Sequence, residues 1–181
     1  MLFTKTDLDG VWLIEARPAA DERGSFARTF CTDEMERHAL QTRFVQHSLS
    51  RSTRKHTLRG LHFQHAPHRE VKLVSCLKGA IWDVAVDIRP QSPAFGRWTA
   101  AELTAENMRQ LYIPEGFAHG FLSLTDDVAV GYLISARYDP ATAAGIRYDD
   151  PAIAIEWPAT PAVMSEKDRN WPLLSQAQHQ I

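Results

Sequence analysis

Short β-rich runs, each closed by a turn signal, recur along almost the whole chain, and this regularity limits the fold more than any single residue does. Residues 10–17, 25–31, 44–50, 57–64, 71–77, 80–88, 96–103, 108–113, 120–124 and 128–136 all read as strands. Lys78-Gly79, Pro114-Glu115-Gly116 and Asp126-Asp127 punctuate them, and Lys78-Gly79 reads as a tight hairpin turn with the glycine at positive φ. Residues 32–40 are the one clear helix before the C-terminal region, with Thr32 as its cap and Asp33, Glu34 and Glu36 at the positive end of its dipole. The pattern predicts an all-β sandwich or barrel, with a double-sheet jelly roll as the expected form and an open mouth able to hold a small ligand. In residues 80–88, Trp82, Val84, Val86 and Ile88 share one face while Asp83 and Asp87 share the other, which suggests a partly polar interior.

A chain of 181 residues with no linker or repeat is expected to form a single domain over 1–181. With 20 basic and 22 acidic residues the net charge is −2, so nothing draws the chain in bulk to nucleic acid or anionic lipid, and an anionic ligand must be met locally. Two cysteines are too few for a disulfide scaffold, and residues 1–10 carry Lys5, Asp7 and Asp9 without a long apolar run. These features predict a cytoplasmic protein without a signal peptide or membrane anchor.

Several residues are too polar for the strands they occupy. Arg59 and His62 sit in Arg59-Gly60-Leu61-His62-Phe63-Gln64, Lys72 lies between Val71 and Leu73, His119 follows Pro114-Glu115-Gly116-Phe117-Ala118, and Tyr132 precedes Leu133 and Ile134. Singly, each has a bland reading: a core histidine, a solvent-facing lysine, a packed tyrosine with a wet hydroxyl. Together, Pro114-Glu115-Gly116-x-x-His119, Gly60-x-His62 and Gly79 resemble the two glycine-bracketed motifs of the cupin superfamily, which implies a jelly roll. Many cupins bind a metal, so His62, His65, His68, Glu70 and His119 are candidate ligands. Lys72 would put an ammonium beside such an ion on the face of Glu70, and the His-x-His of the first motif is missing. A site without a metal is therefore expected.

A narrower resemblance runs in order from about residue 20 to 170. Arg23-Gly24-x-Phe26, Gln46, Leu58 to Gln64, Lys72-Leu73-Val74, Gly79, Asp83 to Arg89, Ser92-Pro93, Phe95-Gly96, Ile113-Pro114-x-Gly116-Phe117-Ala118-His119-Gly120-Phe121, Tyr132, Tyr138-x-Pro140, Gly145-Ile146, Asp150-Pro151 and Ser165-x-Lys167-Asp168 are similar to the dTDP-4-dehydrorhamnose 3,5-epimerase family. The resemblance implies an epimerase of a nucleotide-linked 4-keto-6-deoxyhexose that uses no cofactor, with His62 as base, Asp168 orienting it, Lys72 beside the enolate oxygen and Tyr132 as acid on the far face. Inversion next to a ketone needs those jobs filled. By the same resemblance Arg23 and Arg59 would hold the diphosphate, His119 and Gln46 would contact sugar or phosphate oxygens, Tyr138 would border the sugar, Phe26 would stack on the base, and Lys167 would join the substrate contacts. The family's N-terminal segment crosses to a second subunit, which implies a homodimer with shared sites.

Three positions depart from the family pattern: Arg28 and Ala143 stand where glutamate is usual, and Ser48 where asparagine is usual. All three lie among substrate-holding positions, so a change of nucleotide or sugar is one reading and local compensation the other. Epimerisation at C3 or C5 alone, and a sugar-binding cupin without turnover, remain as alternatives. Strict alternation sets Arg59 and His62 on opposite faces; both can line one pocket only if the strand ends or bulges near Gly60.

Overall fold

A computed structural model describes residues 1–177; the last four positions of the expected domain, 178–181, lie outside the described residues. The first half contains β1 (Leu2–Lys5), β2 (Trp12–Glu15), β3 (Ala19–Asp21), β4 (Gly24–Phe26), α1 (Thr32–Glu36), β5 (Gln46–Ser52), β6 (Leu58–Gln64), β7 (Lys72–Lys78) and β8 (Ala80–Asp87). There follow β9 (Trp98–Thr104), β10 (Arg109–Ile113), β11 (Phe117–Ser123), β12 (Val128–Ile134), β13 (Ala143–Gly145), α2 (Glu166–Arg169) and α3 (Leu174–Ala177). The strands form a six-stranded sheet, β1-β2-β10-β7-β12-β5, a five-stranded sheet, β13-β6-β11-β8-β9, and the small hairpin β3-β4. This is the expected all-β jelly roll.

Period-two patterning explains how the sheets close on each other. Val74, Leu111 and Val130 from one sheet meet Ile81, Phe117 and Phe121 from the other in a dry layer. Each such side chain contributes about 1.5–3 kcal/mol of burial free energy. On the far face of β8, Val84, Val86 and Ile88 pack under Ile153 and Leu174 of the C-terminal segment. Ile14, Leu73 and Tyr112 on the outer face of the six-stranded sheet are covered by Met35 of α1. Asp83 and Asp87 are fully buried on the opposite side of β8 from Val84. Asp87 is held there by Arg89 and Ser92 at 2.6 Å each.

Four local readings need correction. Lys78-Gly79 does not close a hairpin: Gly79 has the expected positive φ of 74°, but β7 pairs with β10 and β12 while β8 pairs with β9 and β11. The turn is a corner that carries the chain from one sheet to the other. The strand expected over 25–31 reduces to β4, half of an exposed hairpin. The helix ends at Glu36, because Ala39 adopts φ 55° and the bonds Leu40 N to Met35 O and Ala39 N to Glu36 O form a Schellman stop. Its N-cap is Cys31, without a side-chain bond, so Thr32 is the first helical residue and not the cap.

Candidate active site

The expected bulge is present. His62 lies opposite His119 and Arg59 opposite Phe121, so three steps along β6 span two along β11. Gly60 permits this: its φ is 145°, and a Cβ there would lie 2.6 Å from the Cα of Gly120. Arg59 and His62 consequently reach one cavity of about 880 Å³, lined from both sheets and by residues 163–171.

The C-terminal segment supplies the partner of His62. Leu58 N donates to Val163 O at 2.9 Å, which lays that segment along the start of β6. Ser165 then caps α2, its Oγ accepting from Asp168 N at 3.0 Å. Asp168 Oδ1 ends 2.6 Å from His62 Nε2, across 106 residues of sequence. The carboxylate also accepts from Trp171 Nε1 at 3.2 Å and from Gly60 N at 3.4 Å. Burial pushes the Asp168 carboxyl up, yet the bonds from His62, Gly60 and Trp171 outweigh it and hold the group below the ordinary carboxylate range. The Asp168 side chain is 7% exposed and the His62 side chain 43%, so the imidazole keeps a free edge toward the cavity.

Lys72 approaches from the facing sheet. Its Nζ lies 2.9 Å from Glu70 Oε1 and donates to His62 O at 3.3 Å. Glu70 Oε2 accepts from Gln64 Nε2 at 3.0 Å. Gln64 also donates to the carbonyls of His68 and Arg137 and accepts from Asp139 N. The residue standing where a second His of His-x-His would be is thus a buried four-bond anchor. Tyr132, on β12 of the same sheet as Lys72, meets His119 edge-on with ring centroids 5.9 Å apart. Burial pushes its phenol above the ordinary value, and the Asp83 carboxylate adds to that push. His119 Nε2 is 2.7 Å from Asp83 Oδ1, whose fellow oxygen Oδ2 is buried without a partner among the described residues. A carboxylate-backed imidazole on one wall, with an ammonium and a phenol on the other, can exchange a C–H proton beside a carbonyl.

The family model for dTDP-4-dehydrorhamnose 3,5-epimerase matches residues 5–176. The chain belongs to this family. A Methanothermobacter thermautotrophicus dTDP-4-dehydrorhamnose 3,5-epimerase is 47% identical over 172 residues, covering 93% of this chain and 92% of its own. A Streptomyces niveus dTDP-4-dehydrorhamnose 3-epimerase is 38% identical, covering 94% and 82%. The crystal structure of a Legionella pneumophila dTDP-6-deoxy-D-glucose-3,5-epimerase in complex with dTDP-4-keto-L-rhamnose superposes with a TM-score of 0.91, at 42% identity over 96% of this chain and 93% of that one.

Within this epimerase-family chain the cavity gathers most residues singled out in the sequence: Arg59, His62, Lys72, His119, Tyr132 and Asp168, with Gln46, Ser48, Tyr138, Ala143 and Lys167 at its walls. Gln46 Oε1 accepts from Tyr138 N at 2.6 Å and ties that loop to β5. Arg59 is braced by Ser52 Oγ and Arg51 O, which hold its guanidinium at the rim. Arg23, Phe26 and Arg28 do not reach the cavity of their own chain. Arg23 pairs with Asp21, Arg28 with Glu34, and Phe26 is 80% exposed. Among the described residues no three His, Cys, Asp or Glu side chains converge as metal ligands; Glu70 is committed to Lys72, and His68 to Asp139 at 3.2 Å. Asp83, Gln64 and Trp171 were not assigned a role in the sequence. Trp171 had one signal, its three-residue spacing from Asp168 at the end of a short helix.

Proposed function

We propose that the chain is an epimerase that converts dTDP-4-keto-6-deoxy-D-glucose into dTDP-4-keto-L-rhamnose, inverting C3 and C5 through enolates. The observation that carries this reading is the placement of His62 on one sheet, backed by Asp168 of α2, and of Lys72 and Tyr132 on the sheet facing it, around one cavity, in a member of this family. With Nε2 committed to Asp168, Nδ1 is the nitrogen left to take the C–H proton. The electron pair moves to the C4 oxygen, where Lys72 offsets the developing charge in a site of low dielectric. Tyr132 returns a proton from the opposite face, and solvent restores both groups. No cofactor takes part in this scheme. Arg59, Lys167, Gln46, Ser48, His119 and Tyr138 hold the nucleotide-sugar.

The active form is a homodimer in which the N-terminal segment lends Arg23, Phe26 and Arg28 to the partner's cavity. The outward direction of all three supports this. With two free cysteines and no helix long and apolar enough to cross a membrane among the described residues, we place the reaction in the cytoplasm.

Purified protein and dTDP-4-keto-6-deoxyglucose in deuterated buffer test the reading by NMR. The expected result is solvent deuterium at both C3 and C5, with exchange lost in Asp168→Ala while the fold persists. Deuterium at C3 alone would support the second reading, a 3-epimerase, which the relationship to the Streptomyces niveus protein favours. Exchange that survives Asp168→Ala sinks the mechanism.

A further inference from the structure

Trp171 joins the proton-abstracting pair from outside the residues given roles above. Its indole Nε1–H donates to Asp168 Oδ1 at 3.2 Å, the same oxygen that meets His62 at 2.6 Å. Its ring stands edge-on to His62 with centroids 6.3 Å apart, and Lys167 Nζ lies over it at 4.9 Å. The indole is also clamped from behind. Gly145 of β13 leaves the space it fills, since a Cβ there would come within 2.6 Å of the indole nitrogen, and Pro172 O accepts from Arg147 N at 3.0 Å just beyond it. A ring seated this firmly holds its N–H at a fixed point.

We propose that Trp171 is a positioning residue: its N–H fixes the Asp168 carboxylate on His62 Nε2 and drains part of the negative charge that the imidazole would otherwise feel. This rests on the roles proposed for His62 and Asp168. The physical reason is competition at one oxygen. A carboxylate that accepts several donors spreads its charge among them, so each bond is weaker than it would be alone. Trp171 therefore keeps the imidazole from retaining its proton too firmly, which a base that must turn over requires. The other charged or titratable groups lining the cavity with His62 are Arg59 on its own strand, Lys72 of β7 with Glu70 just before that strand, His119 from β11, Tyr132 from β12, Tyr138 after β12 and Lys167 from α2. All of them stay in place when only the indole N–H is removed.

The test is Trp171→Phe in the full chain, read in two ways. NMR titration of the His62 ring follows the pair without any substrate, and kcat and KM across pH follow the reaction. Loss of the donor is expected to move the His62 titration up by about half a pH unit, a threefold change in proton affinity. The acid limb of kcat should move with it, kcat at neutral pH should fall about tenfold, and KM should stay within about twofold. An unmoved titration overturns the proposal, and so does a fall in kcat with an unmoved titration and a lower melting temperature, which would mean packing alone. If Trp171→Phe does not fold, a benzothiophene analogue of tryptophan at 171 keeps the ring shape and lacks the N–H, and it faces the same two outcomes. A coupled titration in a protein that does not epimerise would leave the role of Trp171 standing and remove the functional reading; the reverse pattern removes only Trp171.

Discussion

Two histidine–aspartate pairs meet side by side, for His62 and His119 are direct partners across β6 and β11, with Asp83 from β8 and Asp168 from α2. Their bond lengths hardly differ, 2.6 Å for His62–Asp168 and 2.7 Å for His119–Asp83. Access separates them. The His119 side chain is 6% exposed and its aspartate 0%, against 43% and 7% for the other pair. The carboxylates differ too: Asp168 takes three donors over its two oxygens, whereas Asp83 keeps one oxygen unpartnered. Geometry within a dyad therefore does not identify a base; a base also needs a free edge toward substrate and a carboxylate that is fully held. His119–Asp83 is a buried polar pair that backs Tyr132 at the cavity wall, which suits the substrate contact proposed for His119 and not proton abstraction.

The sharpest way to break this comparison is to truncate each histidine. His62→Ala is expected to lower epimerisation by about 10³–10⁴-fold with a smaller loss of stability than at His119, since Asp168 keeps Gly60 N and Trp171 Nε1 as donors. His119→Ala should cost far less in rate, but should destabilise the fold by about 3–5 kcal/mol, because it strands a buried carboxylate. Equal rate losses with equal stability would end the distinction. Next in size is the pair of carboxamides. Asp168→Asn can present its amide to Nε2, force the other tautomer and occupy Nδ1 with a proton, for a loss of about 10³-fold in kcat. Asp83→Asn should lose under about tenfold, read in the same assay. Tyr132→Phe comes third: a drop of about 10²-fold in product, while deuterium still enters the substrate with retained configuration. Product formation at the native rate would release Tyr132 from the acid role.

Much of the fold was readable because period-two patterning is local: the ten expected runs overlap β2 and β4 to β12, whereas β1, β3 and β13 are too short to show a pattern. What else escaped was non-local. Lys78-Gly79 has the composition of a hairpin, and only the competition among β7's partners shows that it is a corner between sheets. Cys31, in place of Thr32, is the N-cap of α1, because a cap position depends on a single residue's backbone angles. In the site, Arg59 and His62 were placed correctly only by allowing a bulge at Gly60, which strict alternation would have ruled out. The partnership of His62 with Asp168 came from resemblance, since no local pattern spans 106 residues. Glu70 was visible as a carboxylate near Lys72 but was weighed as a metal ligand; its ion pair with that lysine needs the turn between β6 and β7 to be known.

The smallest effect separates the pairs by acid. The Asp168 carboxyl lies below its ordinary value in the folded chain because His62, Gly60 and Trp171 outweigh the upward push of burial. A carboxyl depressed by folding adds stability that is complete above the unfolded-state range, near about pH 4, and that disappears as pH falls through the folded value. Hydrogen bonds to a charge of this kind contribute about 1.5–3 kcal/mol. Urea melts of the parent chain and of Asp168→Asn should therefore differ by that order at pH 6 to 7 and converge as pH drops below about 4. A gap that stays constant down to pH 3 would mean that Asp168 supports the fold through shape and not through its charge, and it would then resemble the buried pair more than the working pair.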